Sequence, residues 1–260
     1  MMKPLYPALL IIITITLFVT CDLPHEPGPM PGDLIPTEFE AGLNILGVLR
    51  ADEQTGTSFI SINRALTTEE IYSDSIEDWP PEVDFVKLTL ASSGTEYFFL
   101  KPEDSFGWGK YQDTTLDVQP GQTFELEISA PDYPTLTGET AIPQKPALVL
   151  NTLSVASGRV SFQLKHHASA FEYKLYLIFS EITLEKVIKP RNEDILDIDW
   201  VFNAANGVPQ ALVVGALDEN LTSYGNSGIT FIPNTYHADG STVTDGYGCF
   251  GSVAIATFPL

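Results

Sequence analysis

Apolar and polar residues alternate at every second position in many short segments, and this pattern restricts the fold more than any other feature. In "TFELEIS" the apolar residues Phe124, Leu126 and Ile128 alternate with polar or charged ones. A period of two places successive side chains on opposite faces of a β-strand. The same pattern returns in "RVSFQLKHH" from Arg159 and in "FEYKLYLIF" from Phe171. The sequence therefore predicts an all-β protein built from half-buried strands.

Glycine, proline and serine clusters separate these segments at short, regular intervals, which is typical of β-sandwiches. In "VDFVKLTLASSG" the alternation changes phase between Phe85 and Val86, and a phase change of this kind predicts a β-bulge. The segment Thr67–Trp79 is the one candidate for a short helix.

Two prolines, Pro143 and Pro146, interrupt the strand pattern and predict a domain boundary. We expect residues 39–143 to form an immunoglobulin-like or regulatory-type β-sandwich and residues 147–260 to form a second β-sandwich-like domain. The last segment, "DGYGCFGSVAIATFPL", is expected to be a closing strand in the centre of that second domain.

The first 20 residues have the composition of an export signal. Lys3 is followed by an uncharged, mainly apolar run from Ala8 to Val19, which is shorter than a membrane-spanning helix requires. The run ends at Cys21, in a context similar to the lipobox at which bacterial lipoproteins are acylated. Residues 1–20 are therefore predicted to be a lipoprotein signal peptide and Cys21 the lipidation site. The alternatives are an N-terminal anchor helix and, for Cys21, a disulfide bond with Cys249.

Residues 21–38 are predicted to be a tether. This segment is rich in proline and glycine, a composition that favours an extended, stiff spacer over a helix. The order of export signal, lipid-carrying cysteine, spacer and β-rich body is that of a protein held at a membrane by its N-terminus.

The chain carries 34 acidic and 13 basic residues, for a net charge of −21. Such a surface repels phosphate groups, so we expect no nucleic-acid partner. Solubility explains the acidity. Binding of calcium or of a cationic partner is the alternative.

A search for catalytic chemistry gives few candidates. His166 and His167 are neighbours and would face opposite sides of a strand, so no metal site and no cofactor are predicted. Asp197 and Asp199 would share one strand face, which could serve a glycosidase or calcium but is also typical of a solvated strand. Trp108 lies between two glycines and is a candidate ligand contact in a loop. Alternatively, the Trp108 side chain packs into one end of the sandwich and has no ligand.

The sequence resembles domain-of-unknown-function family 4249 across most of the predicted mature chain. The likeness rests on the order and spacing of five segments: Val86–Leu88, Gly109–Tyr111, Gly121–Tyr133, Thr140–Pro146 and Gly248–Ser252. Members of that family are exported lipoproteins of Gram-negative bacteria, often encoded beside TonB-dependent outer-membrane receptors. The resemblance implies a location in the cell envelope, anchored at the outer membrane, and a TonB-dependent receptor as partner.

Two functions follow as hypotheses. The first is a non-catalytic envelope lipoprotein that is a binding or accessory partner of an outer-membrane nutrient transporter. The second is a carbohydrate-binding or adhesive surface protein, which would be carbohydrate-active only if acidic side chains converge in a cleft.

Overall fold

The computed structural model describes residues 41–66, 70, 81–102, 109–191, 193–226 and 241–260. Its described part consists mainly of β-strands, which confirms the all-β prediction. The predicted signal peptide and tether lie outside the described residues, as does the predicted helix Thr67–Trp79 apart from Glu70.

The described strands of the first half alternate with short turns. They are β1 Leu43–Ala51, β2 Phe59–Arg64, β3 Phe85–Leu90, β4 Thr95–Phe98, β5 Lys110–Tyr111, β6 Thr123–Ser129 and β7 Leu136–Ala141.

The second half continues the pattern and adds one helix, α1, at Glu219–Asn226, and a short 3₁₀ helix at Ala204–Asn206. Its strands are β8 Ala147–Leu148, β9 Ser154–Ala156, β10 Arg159–Lys165, β11 Glu172–Ile178, β12 Thr183–Ile188, β13 Ile195–Val201, β14 Ala211–Leu217, β15 Val243–Thr244 and β16 Tyr247–Pro259.

These strands form three sheets. A five-stranded sheet has the order β15-β7-β6-β3-β4, and a four-stranded sheet has the order β13-β10-β8 with β9 paired to β10. A seven-stranded sheet, β12-β11-β14-β16-β1-β2-β5, contains strands of both halves.

Two hydrophobic cores lie between the sheets. The first core joins the inward side chains of β1 and β2 to those of β3 and β6, with Phe124 and Ile128 among its fully buried residues. The second joins β11 and β14 to β10 and β13, and it contains Tyr173 and Trp200. Each core is thus enclosed by one end of the seven-stranded sheet and one smaller sheet, which is a sandwich arrangement.

The C-terminal strand departs from the expected division of the chain. Residues Tyr247–Ala254 of β16 pair in parallel with β1, and Val253–Pro259 pair antiparallel with β14. Phe250 belongs to the first core, whereas Phe258 packs against the second. Strand β16 is central, as expected, but it is central to a sheet shared by both sandwiches rather than to the second alone.

The prediction of a β-bulge at Phe85 and Val86 is wrong. Strand β3 begins at Phe85, and its pairing with β6 runs without interruption from Phe85 opposite Ser129 to Leu90 opposite Phe124. Val83, which created the apparent phase change, precedes the strand.

Candidate functional site

A groove with a volume of about 1030 Å³ lies at one end of the first sandwich. Three segments supply most of its lining: residues 81–86, which include the start of β3, residues 98–101, which begin at the last residue of β4, and residues 131–133 in the turn between β6 and β7. Loops clustered at the end of a rigid sandwich are a common location for binding residues.

Strand alternation explains why large apolar side chains are exposed in this groove. Phe99 points into the first core and is buried, so its neighbours Phe98 and Leu100 point outward and are 52% and 72% exposed. The backbone holds them in place: the Phe99 N–H donates to the Val86 carbonyl at 2.9 Å, and Leu100 and Gln112 exchange two 2.9 Å bonds. The apolar surface is therefore presented from an ordered segment.

Carboxylates lie beside this apolar surface. Glu82, Asp84 and Asp132 line the groove with Lys101. Ser129 donates its hydroxyl to Asp84 Oδ2 at 3.1 Å, which orients that carboxylate. Asp132 occupies a left-handed backbone conformation with φ 65° in the turn after β6.

Tyr111 closes one side of the groove and links it to the first core. Burial raises the pKa of its phenol, and the nearby Glu82 raises it further. The phenol is therefore neutral at physiological pH and available as a hydrogen-bond donor. Apolar faces next to carboxylate acceptors and a phenol can hold a ligand that has both an apolar face and hydroxyl groups.

Trp108, the ligand contact predicted from sequence, lies outside the described residues. In the sequence it falls between Lys101 and Tyr111, both of which line the groove. Its role stays a prediction. Among the other tryptophans, Trp200 is buried in the second core and is 7% exposed, so it offers no surface for stacking.

Asp197 and Asp199 do share one face of β13, as predicted, and both have partners across the strand pair. The Gln163 side-chain amide donates to Asp197 at 2.7 Å, and Arg159 pairs with Asp199 at 2.8 Å. These contacts are those of a solvated strand face, the simpler of the two interpretations.

The described residues contain no group of three or more histidine, cysteine or acidic side chains placed to hold a metal ion. His166 lies beside Tyr173, with 3.3 Å between its Nδ1 and the phenol oxygen. His25 and His237 lie outside the described residues.

Cys249 is a fully buried free thiol. Burial raises its pKa from 9.0 to about 12, against the effect of a hydrogen bond with Thr242. A thiol of that pKa is a poor nucleophile at neutral pH. Cys21, the predicted lipidation site, lies outside the described residues.

The structure also contains a buried polar cluster that the sequence pattern does not indicate. Its central residue, Asp218, precedes α1 and accepts the Leu221 N–H at 2.9 Å, as an N-cap does. Thr140 donates to the same carboxylate at 2.5 Å and lies 3.0 Å from the Ser252 hydroxyl. The cluster ties β7, β16 and α1 together and has a structural role.

No protein-family model matches the sequence, and no curated protein matches it. Among the helices of the described residues, none is long and apolar enough to span a membrane.

Solved structures give distant likenesses. A tetra-tandem repeat in the extending region of a large adhesion protein aligns at 11% identity and a TM-score of 0.24, covering 84% of this chain and 49% of that chain. The chicken CNTN1 FN1–FN3 domains align at 12% identity and a TM-score of 0.29, covering 84% of this chain and 66% of that chain. A Ca²⁺-stabilized adhesin that helps an Antarctic bacterium bind ice aligns at 13% identity and a TM-score of 0.22, covering 83% and 48%. The chain thus spans about half the length of both adhesin chains, and TM-scores this low carry no argument about function.

Proposed function

We propose that this chain is a non-catalytic lipoprotein of a Gram-negative cell envelope, anchored at the outer membrane through Cys21, where it is a binding or accessory partner of a nutrient transporter. The proposal is supported by the apolar run that ends at Cys21 and by the proline-rich segment after it. The resemblance to domain-of-unknown-function family 4249 supports the transporter, a TonB-dependent receptor, as the partner.

The spacer sets the reach of the anchored body. An extended proline-rich chain rises about 3.1 Å per residue, so residues 22–38 would span roughly 50 Å. A body on such a spacer can reach a protein in the same membrane while its acidic surface stays clear of anionic lipid.

The groove at the end of the first sandwich is the observation that carries the binding role. It presents the exposed side chains of Phe98 and Leu100 on an ordered segment, with the carboxylates of Glu82, Asp84 and Asp132 beside them. Exposed large apolar side chains concentrated in one groove favour a binding site.

Carbohydrate binding is the second candidate function, and the composition of the groove favours it. The apolar face of a sugar ring packs on an aromatic side chain, and its hydroxyl groups donate to carboxylates. In this proposal the groove carboxylates are hydrogen-bond acceptors and do not take part in bond cleavage.

Calorimetric titration with soluble malto-, xylo-, chito- and galacto-oligosaccharides tests this second function. The double variant Phe98→Ala, Leu100→Ala should weaken binding at least about tenfold, which corresponds to about 1.4 kcal/mol. The matched control is Phe171→Ala, Leu150→Ala, because those side chains are 45% and 84% exposed but lie outside the groove.

Equal weakening by the two double variants would contradict a site in the groove. If no oligosaccharide binds, the proposal of carbohydrate binding is contradicted, and the accessory role beside a transporter is the function that still stands. Analysis of the titrated samples for shortened oligosaccharides separates binding from catalysis, since any product would contradict the non-catalytic proposal.

A further inference from the structure

The central strands of the seven-stranded sheet break a rule that the central strands of the other two sheets, β6 and β10, follow on their outer faces. In an antiparallel sheet with one solvated face, outward positions are usually polar. Strand β6 places Glu125 and Glu127 outward, and β10 places Ser161 and Gln163 outward.

The central strands of the seven-stranded sheet place apolar residues at the equivalent positions. Val213 and Leu217 of β14 point away from the second core, as do Val253 and Ile255 of β16. The sequences "ALVVGAL" and "VAIATF" are accordingly apolar on both faces. Strands of this composition are typical of sheets that are covered on both sides.

These residues form a shallow apolar depression of about 270 Å³, bordered by Leu221 of α1. The floor of the depression includes Lys174, Gly215 and Ile255, which are direct neighbours across β11, β14 and β16. Small-molecule pockets usually have a volume of about 300–1,000 Å³ and enclose their ligand. An open depression of this size is better suited to one or two anchoring side chains of a protein partner than to a small molecule.

The charge of the depression is opposite to that of the molecule. Its lining includes Lys174 and Arg50, and none of its described lining residues is acidic, although the chain has a net charge of −21. Lys110 lies on the same face, with its ammonium 5.2 Å from the centre of the Phe59 ring.

Acidic groups also border this face. Glu172 of β11 lies opposite Leu217, is buried, and pairs with Lys189 at 4.0 Å. Asp52 pairs with Arg50 at 3.0 Å. Glu185 lies opposite Tyr176 on the edge strand β12. Lys174 has no ion pair among the described residues.

We infer that this face, defined by Val48, Arg50, Phe59, Lys174, Tyr176, Val213, Leu217, Val253 and Ile255, is a docking surface for another protein. The partner presents an apolar side chain to the depression and a carboxylate to Lys174. Charge complementarity selects this partner over a second copy of the same acidic chain. The inference depends neither on the groove nor on the lipid anchor.

A fluorescein-labelled peptide of alternating aspartate and leucine residues is the probe, and a lysine–leucine peptide is its counterpart. Fluorescence anisotropy should show binding of the acidic peptide to the purified protein, with weaker binding at 500 mM salt than at 50 mM. Lys174→Glu and Ile255→Thr should each weaken this binding at least tenfold. Threonine keeps the β-branched shape of isoleucine, so the sheet should remain intact.

The other outer sheet face supplies matched controls. Lys165 and Ile195 are direct neighbours across β10 and β13, and both are exposed. Lys165→Glu and Ile195→Thr make the same changes in charge and shape, and they should leave binding within twofold of the wild type.

Several results would overturn the inference. The acidic peptide could fail to bind below 1 mM, bind no better than the basic peptide, or bind equally to the test and control variants. Sedimentation showing a dimer that Ile255→Thr dissociates would assign the face to a second copy. Wild-type binding to phosphatidylcholine vesicles that Ile255→Thr abolishes would assign it to lipid.

Discussion

Asp218 shows how one buried carboxylate connects separate parts of the chain. It caps α1 through the Leu221 N–H and accepts the Thr140 hydroxyl of β7, while its own N–H donates to the Ser252 carbonyl at 3.1 Å. Burial raises the pKa of this carboxyl, and its interactions with Thr140, Leu221 and Ser252 offset only part of that effect.

The raised pKa predicts a definite pH dependence. A carboxyl that holds its proton more tightly in the folded state gives most stability below its ordinary pKa of 3.8, and that stability is lost as pH rises through the raised value. Relative to Asp218→Asn, the wild type should therefore become less stable as pH increases from about 4. Urea unfolding of both proteins across this range measures the difference. Asp199→Asn, on the exposed face of β13, controls for the loss of one charge. A wild type that gained stability relative to Asp218→Asn would contradict the prediction.

At the scale of residues, the sequence could predict those whose role follows from their position on one face of a strand. The partners of Asp199 and Asp197 could be inferred in kind, because charged residues on a solvated strand usually pair across it. The role of Asp218 could not be predicted, because its cluster joins distant parts of the chain. Thr140 lies 78 residues from Asp218 and 112 residues from Ser252. Only the folded chain brings them together.

At the scale of elements, β16 determines how the two sandwiches are joined. Its first residues pair with β1 and its last with β14, so one strand contributes to both cores. Gly248 allows this path: it has φ 100°, and a side chain there would collide with the Ile45 carbonyl of β1.

Gly248→Ala should separate β1 from β16 and destabilise the protein. Gly94→Ala is the matched control, since Gly94 also has a positive φ, of 69°, but open space around its Cα. Gly94→Ala should lower the free energy of unfolding by about 1–2 kcal/mol, because of the left-handed backbone alone. Gly248→Ala should lower it by at least about 2 kcal/mol more, because of the collision with Ile45. Urea unfolding measures both values, and equal values would show that β16 does not depend on this close approach.

Alternation predicted the strands that have one solvated face. The inward residues Val160, Phe162 and Leu164 of β10 are buried as expected, and so are those of β6. The parallel pairing of β1 with β16 could not be predicted, because it joins segments some 200 residues apart and local pattern carries no register. Strand β12 was missed because its residue types do not alternate. Lys186 falls between Leu184 and Ile188 on the half-buried side, and Val187 lies on the exposed side.

At the scale of the whole molecule, the groove and the docking surface both present apolar side chains on a chain whose net charge is −21. The three segments that form the groove come from distant parts of the first half, so sequence could suggest an aromatic contact there but not the groove itself. We propose that the body carrying these surfaces is held at the membrane by a spacer and by the lipidated Cys21.

Metabolic labelling with an alkyne-bearing fatty acid in a Gram-negative host tests that claim most directly. Cys249→Ser is the matched control, because Cys249 is the other of the two cysteines in the chain. The wild type and Cys249→Ser should carry the label and fractionate with membranes, whereas Cys21→Ser should carry none and be released into the soluble fraction. An unlabelled wild type, or a Cys21→Ser variant that keeps the label, would contradict the account.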